Sequence, residues 1–265
     1  MNALRGRRIV VTRPAGQSAR LAQLICAAGG EPVLFPALEI LDVEDSGPLL
    51  SLIERLDRFD LAIFASPNAV EKAVGLAKSR RAWPTALRVA TVGPGSESDL
   101  RRFGFAEVIA PVGRFDSEAL LELPEMNQVA GKSVVIFRGD GGRDLLGETL
   151  AERGARIEYA ACYRRVRPHA DASALLDLWA RKALDAITVT SSEGLNNLYE
   201  MVGGPGQKKM KQTPLFAPHE RIAGAARALG VRAVILTGPG DAGLVTGLSA
   251  FFAKVGSHER SHEPE

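Results

Sequence analysis

The most constraining feature of this sequence is a repeat of its own pattern at an interval of 125 residues. Gly6-Arg-Arg-Ile-Val-Val-Thr-Arg13-Pro-Ala-Gly16 aligns with Gly131-Lys-Ser-Val-Val-Ile-Phe-Arg138-Gly-Asp-Gly141. The same interval pairs Leu21 with Leu146, Gly29 with Gly154, Asp60 with Asp185, Ser66 with Ser191, and Gly113 with Gly238; after a slip of one residue it pairs Gly104 with Gly230 and Val108 with Val234. The repeat predicts two related lobes, and a cleft between two lobes is a common location for a ligand.

The bulk composition fits a globular protein of two domains. A chain of 265 residues is long enough for two cores, and 46% hydrophobic and 24% charged residues are ordinary values. The net charge is only +2 and the Lys and Arg residues are dispersed, which argues against a nucleic-acid surface. We predict that the one dense basic run, Lys208-Lys-Met-Lys211, is a solvated loop.

Nothing in the sequence predicts a membrane segment or an export signal. No stretch approaches the roughly 20 apolar residues that span a bilayer, and Arg5, Arg7 and Arg8 lead straight into a short strand. Cys26 and Cys162 form neither a disulfide framework nor a zinc-binding set. We therefore expect a cytoplasmic protein whose polar end, from about Ser257 to Glu265 with His258 and His262, is frayed.

Short apolar runs alternate with amphipathic segments along the whole chain. The helical spacing in Ser18–Ala28 recurs in Leu145–Arg153, and each segment ends at a glycine, as helices often do. The predicted strands are Arg8–Thr12, Pro32–Phe35, Leu61–Ala65, Arg88–Val92, Glu107–Ala110, Ser133–Arg138, Arg156–Tyr163, Ala186–Thr190, Leu215–Ala217 and Ala233–Thr237. This alternation predicts an α/β fold with parallel, doubly wound sheets.

Two divisions of the chain into lobes are compatible with this pattern. A tandem split falls near residue 125. Alternatively the chain begins lobe A, builds all of lobe B and returns, which gives 1–36 plus 168–265 as lobe A and 42–162 as lobe B. The segments 36–41 and 163–168 would then run side by side as a connector. Periodicity alone does not choose between the two divisions.

Several predicted strands end in small, polar turns. They are Thr12-Arg-Pro-Ala-Gly16, Ser66-Pro-Asn68, Gly93-Pro-Gly-Ser96, Arg138-Gly-Asp-Gly-Gly142, Ser191-Ser-Glu-Gly194 and Thr237-Gly-Pro-Gly-Asp241. Ligands of open α/β sheets bind at the carboxyl ends of the strands, and helix N-termini favour anions. The same residue types also serve simply as turns and helix caps. None of the turns is a Walker loop, and Gly93-Pro-Gly lacks the third glycine of a dinucleotide fingerprint.

Four side chains near these turns are candidates for chemistry. Arg13 and Arg138 are equivalent in the repeat and could clamp a carboxylate; the alternative is a salt bridge, with Asp60 or Asp185 as a partner. His219 is a candidate proton donor or a surface group. Tyr163, at the end of a strand, is a candidate for the ligand gap or for packing in the connector.

The ordered set of motifs resembles bacterial uroporphyrinogen-III synthases from about Gly6 to Leu248. The motifs are Val11-Thr-Arg-Pro-Ala-Gly, Phe35-Pro-Ala-Leu-Glu-Ile, Phe64-Ala-Ser-Pro-Asn-Ala-Val, Val92-Gly-Pro-Gly, Ile136-Phe-Arg-Gly-Asp-Gly-Gly-Arg and Val189-Thr-Ser-Ser-Glu-Gly-Leu. The resemblance implies two flavodoxin-like lobes joined by a two-stranded connector, with lobe A discontinuous. It also implies conversion of hydroxymethylbilane into uroporphyrinogen III with loss of water and inversion of ring D, without a metal or an organic cofactor.

The resemblance carries over to individual residues only in part. It implies Tyr163 as the acid, Ser66 and Ser191 or Ser192 as turn hydroxyls, and Ser96 in place of a family threonine. The corresponding turn of the other lobe reads Pro218-His-Glu-Arg221, so His219 or Arg221 would take over a substrate carboxylate. The complete predicted substrate-binding set is Thr12, Arg13, Ser66, Asn68, Gly93, Ser96, Arg138, Gly139, Ser191, Ser192, His219, Arg221 and Gly238, with no metal ligands.

These observations predict a monomeric cytoplasmic lyase of tetrapyrrole biosynthesis. They are compatible with a transient contact with hydroxymethylbilane synthase, and they predict no nucleic-acid or membrane partner. We expect Tyr163→Phe to slow closure without abolishing binding. We expect replacement of Arg13 or Arg138 by Ala to raise KM more than it lowers kcat, with lobe stability unchanged. One rival is a two-lobed binding protein that closes on a small anion without turnover. A nucleotide-dependent transferase is disfavoured because no phosphate loop is present.

Overall fold

The computed structural model describes residues 3–260, with side chains as far as Lys254. His262 and the side chain of His258 lie outside the described residues, as does most of the predicted polar tail. The chain divides into two compact units. Unit 1 comprises Met1–Glu39 and Val166–Glu265, and unit 2 comprises Ile40–Arg165.

The described part of the chain forms ten strands, most of them short and apolar. They are β1 (Arg8–Val11), β2 (Glu31–Leu34), β3 (Glu39–Leu41), β4 (Leu61–Phe64), β5 (Arg88–Thr91), β6 (Ser133–Gly139), β7 (Arg156–Val166), β8 (Ala186–Thr188), β9 (Leu215–Ala217) and β10 (Val234–Leu236). The longest strand, β7, continues three residues past the predicted end at Tyr163.

Twelve α-helices lie between or after these strands within the same residues. They are α1 (Ala19–Ala27), α2 (Gly47–Glu54), α3 (Pro67–Arg80), α4 (Pro94–Arg102), α5 (Ser117–Leu121), α6 (Pro124–Asn127), α7 (Leu145–Glu152), α8 (Ser173–Ala180), α9 (Ser192–Met201), α10 (Gly203–Met210), α11 (Glu220–Ala228) and α12 (Gly240–Arg260). Short 3₁₀ turns occupy Ala15–Gln17 and Leu56–Arg58.

Unit 1 is built on a parallel sheet with the strand order β10-β9-β8-β1-β2. One face packs against α8 to α11 through a core that includes Trp179, Leu195, Met210 and Ile222. The other face packs against α1 and α12 through a second core. Because both faces are covered, the central strands are almost wholly apolar, as the sequence predicted.

Unit 2 is built on a second sheet with the order β3-β7-β6-β4-β5, in which the β5-β4, β4-β6 and β6-β7 pairs are parallel. Its two faces are covered by separate cores, one including helices α2 and α3 and the other including α5 to α7. The chain is therefore mixed α/β with two sheets dominated by parallel pairing.

Two local predictions from the sequence are wrong. Glu107–Ala110 is not a strand; only Ile109 forms an isolated parallel bridge, to Ala90. The basic run Lys208–Lys211 is not a loop, because α10 continues to Met210, whose side chain is fully buried. Burial of Met210 anchors this helix in spite of the glycines at its start, while Lys208 and Lys209 are exposed as expected.

No helix in residues 3–260 combines the length and the apolar character needed to cross a membrane. In the same residues, no three His, Cys, Asp or Glu side chains lie together in a way that would hold a metal ion.

Candidate active site

The predicted site residues of unit 2 all lie at one edge of its sheet. Ser66 and Asn68 follow β4, and Gly93 and Ser96 follow β5. Arg138 and Gly139 are the last two residues of β6, and Tyr163 lies near the carboxyl end of β7. Because β4, β5, β6 and β7 run parallel, their carboxyl ends meet at the same edge, where α/β sheets bind ligands.

One hydrogen bond in this group joins two of the predicted residues. The Ser66 Oγ lies 2.9 Å from the Tyr163 Oη, and either hydroxyl can be the donor. Ser66 is also the N-cap of α3, where its Oγ accepts a hydrogen bond from the Ala69 N–H at 3.2 Å. Ser66 is therefore the partner of the Tyr163 hydroxyl among the described contacts, and it connects that hydroxyl to the first turn of a 14-residue helix.

Tyr163 is held on its other sides by the end of β6. Its side chain is buried, with 3% exposure, and its carbonyl accepts a hydrogen bond from the Asp140 N–H at 2.6 Å. A Cβ placed on Gly139 would approach the Tyr163 ring to 2.8 Å. Glycine at position 139 is thus required by the tyrosine ring, which lies where a side chain would be.

Arg138 lies on the outer side of the same strand end. Its guanidinium forms an ion pair with Asp144 at 2.7 Å and lies 3.9 Å from the centroid of the Tyr159 ring. Burial raises the pKa of Tyr159 above its ordinary value, against the opposing charge of Arg138. The sequence suggested Asp60 or Asp185 as a salt-bridge partner of Arg13 or Arg138. For Arg138 this is wrong, because its partner is Asp144, and Asp60 accepts a hydrogen bond from the Ser133 N–H.

The turn between β6 and α7 is rich in glycine and exposed. Gly141 and Gly142 have φ values of +73° and +126°, in a region that side-chain-bearing residues rarely adopt. Asp140 is exposed in this turn, and Arg143 forms an ion pair with Glu118. The turn therefore carries charges of both signs beside Arg138.

The other predicted residues of unit 2 lie in the first turns of α3 and α4. Asn68 is half-buried. Gly93 is the N-cap of α4 and has extended backbone. Ser96 is 2% exposed, so its hydroxyl lies inside the unit rather than on the surface of the turn.

In unit 1 the counterpart of Arg138 makes a different contact. Arg13 forms an ion pair with Asp241 at 2.7 Å, and the two side chains are 21% and 9% exposed. The pair is close but not aligned as a hydrogen bond, and the buried Arg13 Nε has no hydrogen-bond partner within the part of the chain that the structure describes. Asp185 is not the partner; it pairs with Arg7 and accepts the Arg8 N–H at 2.8 Å.

The predicted hydroxyls of unit 1 are largely committed to the fold. Thr12 is 4% exposed and donates to the Thr188 carbonyl at 2.8 Å, within the sheet. Ser191 caps α9 by accepting the Gly194 N–H at 2.9 Å. The Ser192 Oγ is buried and, among the described residues, has no hydrogen-bond partner.

The remaining predicted residues of unit 1 are exposed. The His219 carbonyl accepts hydrogen bonds from the Ile222 and Ala223 N–H groups at 3.0 Å, while its side chain makes no capping bond. Arg221 and Gly238 are exposed. Sequence reasoning missed Gly243, where a Cβ would meet the Gly238 carbonyl at 2.2 Å. This close approach forms only when the turn folds back against the first turn of α12, and the sequence has no pattern that marks it.

Sequence reasoning also missed a cavity of about 550 Å³ within unit 2. It lies beside β7, between α2 and the turn after β6, and Asp140, Glu158, Tyr159 and Arg164 are among its lining residues. Two further lining contacts join Arg55 to Glu158: the guanidinium donates two hydrogen bonds to the carboxylate, and these hydrogen bonds raise the pKa of Arg55. Apart from Asp140, which lies in the Arg138–Gly142 turn, no turn motif marks the named lining residues, because Glu158, Tyr159 and Arg164 come from within β7.

Comparison with known proteins identifies the relatives of the chain. The family model described as "Uroporphyrinogen-III synthase HemD" matches residues 19–246. The uroporphyrinogen-III synthase of Salmonella typhimurium is 33% identical over 224 residues, which cover 84% of this chain and 91% of the relative. The enzyme of the same name from Escherichia coli is 31% identical over 224 residues, with the same coverage of both chains.

Two solved structures share the fold at low sequence identity. A mutant uroporphyrinogen III synthase of Thermus thermophilus superposes with a TM-score of 0.65 at 18% identity, covering 95% of this chain and 99% of that one. Uroporphyrinogen-III synthetase of Helicobacter pylori superposes with a TM-score of 0.55 at 14% identity, covering 94% and 99%. These two structures support the architecture described above.

Proposed function

The chain belongs to the uroporphyrinogen-III synthase family, and we propose that it converts hydroxymethylbilane into uroporphyrinogen III. An enzyme of this name is a cyclising hydro-lyase of tetrapyrrole biosynthesis. The observation that carries the proposal is the family match over residues 19–246, together with relatives more than 30% identical over most of the chain.

The proposed acid is Tyr163. Its hydroxyl transfers a proton to the hydroxymethyl oxygen of the substrate, the C–O bond breaks, and water leaves as the lone pair of a pyrrole nitrogen, which keeps its N–H, forms an azafulvenium cation. Ring D attacks the resulting methylene carbon through its substituted α-carbon, which forms a spiro intermediate. The bond from that α-carbon to the bridge carbon of ring C then breaks, and the free α-carbon of ring D bonds to the same bridge carbon, which inverts ring D and closes the macrocycle. The proton released when the last pyrrole regains aromaticity returns to the Tyr163 oxygen. The hydrogen bond to Ser66 supports this role, because it fixes the position of the phenol.

The proposed task of the surrounding turns is to orient a polyanion. The substrate carries eight carboxylates, and the turns after β4, β5, β8 and β9 each open a helix whose N-terminal N–H groups favour negative charge. Arg138 adds a guanidinium at the end of β6, and His219 and Arg221 are exposed in unit 1. Unguided closure gives the symmetric type I isomer, so fixed geometry is the main requirement.

We further propose that the two units are flavodoxin-like repeats. The order β10-β9-β8-β1-β2 corresponds to the 2-1-3-4-5 order of that fold. At the 125-residue interval β6, β7 and β4 take the places of β1, β2 and β8, and β5 and the Ile109 bridge take the places of β9 and β10. In this proposal β3 and the end of β7 are the two connector strands, and lobe A is discontinuous.

The monomeric state, the cytoplasmic location and a transient contact with hydroxymethylbilane synthase belong to the same proposal. Light scattering during size-exclusion chromatography, with and without the synthase, checks both association states. A dimer, or no complex at high concentration, would contradict the corresponding part.

An isomer assay tests the function directly. Hydroxymethylbilane is generated in situ by its upstream enzyme, this protein is added, and the oxidised products are separated into uroporphyrins I and III. We expect isomer III to dominate. Isomer I alone, formed at the uncatalysed rate, would leave the protein as a binding protein that shares the fold.

A further inference from the structure

We propose that Ser66 is a positioning residue for the acid, which directs its own hydroxyl proton to the Tyr163 Oη and so leaves the Tyr163 proton available for the substrate. This inference rests on the proposed function and deepens it. The sequence had placed Ser66 among residues that touch the substrate, whereas the structure places its hydroxyl against the tyrosine.

The first argument is the accounting of protons and lone pairs. The Ser66 Oγ already accepts the Ala69 N–H as the N-cap of α3. Its single proton has one described acceptor within reach, the Tyr163 Oη at 2.9 Å. If Ser66 donates, every group of the cap is satisfied and the Tyr163 O–H remains free to donate. If Tyr163 donated instead, its proton would be directed into the cap and away from a reacting oxygen.

The second argument is the charge that develops during the reaction. When Tyr163 gives up its proton, its oxygen becomes a phenolate. Ser66 then donates a hydrogen bond to an anion, which is stronger than one between neutral groups. Through the same oxygen the phenolate is connected to the N-terminus of α3, whose partial positive charge favours it. Both interactions strengthen as the proton leaves, so they favour the transition state over the ground state.

The third argument is a comparison within the chain. Ser191 lies 125 residues after Ser66, and it caps α9 through Gly194 as Ser66 caps α3 through Ala69. The position in unit 1 that corresponds to Tyr163 is Leu38, which has no hydroxyl. The cap therefore does not need a tyrosine, and the Ser66–Tyr163 contact is an addition found in unit 2.

A double-mutant cycle measured with the isomer assay tests the proposal. We expect Ser66→Ala to lower kcat on the order of tenfold, the size expected for one hydrogen bond to a charged group, with little change in KM. In a Tyr163→Phe background the same substitution should have no further effect, because the group through which it acts is gone. Ser66→Thr, which keeps both the cap and the hydroxyl, should restore most of kcat.

Ser191→Ala provides the structural control. It removes an equivalent cap, so its loss of Tm should match that of Ser66→Ala and measures what capping alone contributes. If Ser66→Ala does not fold, Ser66→Gly retains a tolerated cap residue without the hydroxyl and takes its place.

Two results would overturn the proposal. One is an equal loss of kcat from Ser66→Ala with and without the Tyr163 hydroxyl, which would show that Ser66 does not act through Tyr163. The other is a rise in KM at constant kcat, which would assign Ser66 to substrate binding. Formation of isomer III by the unaltered protein in the same series upholds the proposed function whichever way the Ser66 variants behave.

Discussion

The turns after β1 and β6 occupy equivalent places in the repeat and each carries an arginine at the same position, but the two arginines make different contacts. In unit 1, Arg13 pairs with Asp241, whose side chain is only 9% exposed. In unit 2, Arg138 pairs with Asp144, which is 53% exposed, and stacks on Tyr159. The first arginine pairs with a nearly buried carboxylate, whereas the second pairs with a carboxylate that is largely exposed to solvent.

The framework beneath these turns is much more alike than the turns themselves. Asp60 and Asp185 each accept the N–H of the first residue of β6 or β1 at 2.8 Å. Ser66 and Ser191 each cap a helix. The difference lies in what is added at the strand ends: Tyr163 and a glycine-rich turn in unit 2, Leu38 and a short 3₁₀ turn in unit 1. The comparison indicates that backbone support is shared and that the proposed chemistry is concentrated in unit 2.

The largest expected effect is the loss of the Arg13 ion pair. Arg13→Ala leaves the Asp241 carboxylate without its partner, and we expect the free energy of unfolding to fall by about 3 kcal/mol. Arg138→Ala should cost less than about 1 kcal/mol, because Asp144 is hydrated. Denaturant unfolding of both variants measures the contrast. The sequence alone predicted unchanged lobe stability in both variants, so the same measurement also tests that expectation.

The double variant Arg13→Ala/Asp241→Ala is the matched control for this contrast. Removing the stranded carboxylate should recover most of the lost stability. Equal losses for Arg13→Ala and Arg138→Ala would remove the distinction between the two arginines. For Arg138→Ala we retain the expectation of a raised KM with a smaller change in kcat.

Next in size is the effect of Tyr163 on turnover. Tyr163→Phe keeps the ring against Gly139 and removes only the hydroxyl, so Tm should be nearly unchanged. We expect kcat to fall roughly 10²-fold, the lower range for loss of a general acid, with KM little changed. Tyr199→Phe, a tyrosine of α9 in unit 1, is the control and should leave kcat unchanged. An unchanged kcat in Tyr163→Phe would exclude Tyr163 as the acid.

The third prediction tests whether the shared framework contributes equally in the two units. Asp60→Ala and Asp185→Ala each leave a strand-initiating N–H without its carboxylate, which should cost about 1.5 kcal/mol of unfolding free energy. Asp185→Ala should cost somewhat more, because Asp185 also pairs with Arg7. Thermal and denaturant unfolding of the two variants provide the comparison. A large loss in one unit and none in the other would argue against an equivalent framework.

Most of the strands could be predicted from the sequence, whereas contacts between residues far apart in the chain could not. Apolar strands such as β4 and β6 were recognised because burial on both faces leaves a local pattern. The Glu107–Ala110 strand was wrong because so short a segment has no pattern of its own and depends on its neighbour Ala90. Ser66 and Tyr163 were both singled out, yet their contact joins residues 97 positions apart and no periodicity encodes it. The Asp241 partner of Arg13 was missed for the same reason.

The smallest predicted effect concerns the glycines that end α1 and α7. Gly29 and Gly154 both have φ of +87°, so an alanine at either position is forced into the left-handed region at a cost of about 1 kcal/mol. A Cβ at Gly154 would meet Ala130 at 3.4 Å, an ordinary van der Waals distance, so the backbone conformation rather than a clash sets the cost there. Gly16→Ala, where a Cβ meets nothing within 4 Å, is the control and should change stability by less than about 0.5 kcal/mol. These glycines share one φ value across the 125-residue interval. Nearly equal losses of Tm in the two variants would show that the two frameworks are equivalent in energy as well as in geometry. A loss of Tm in only one variant would show that the two units support the same backbone conformation differently.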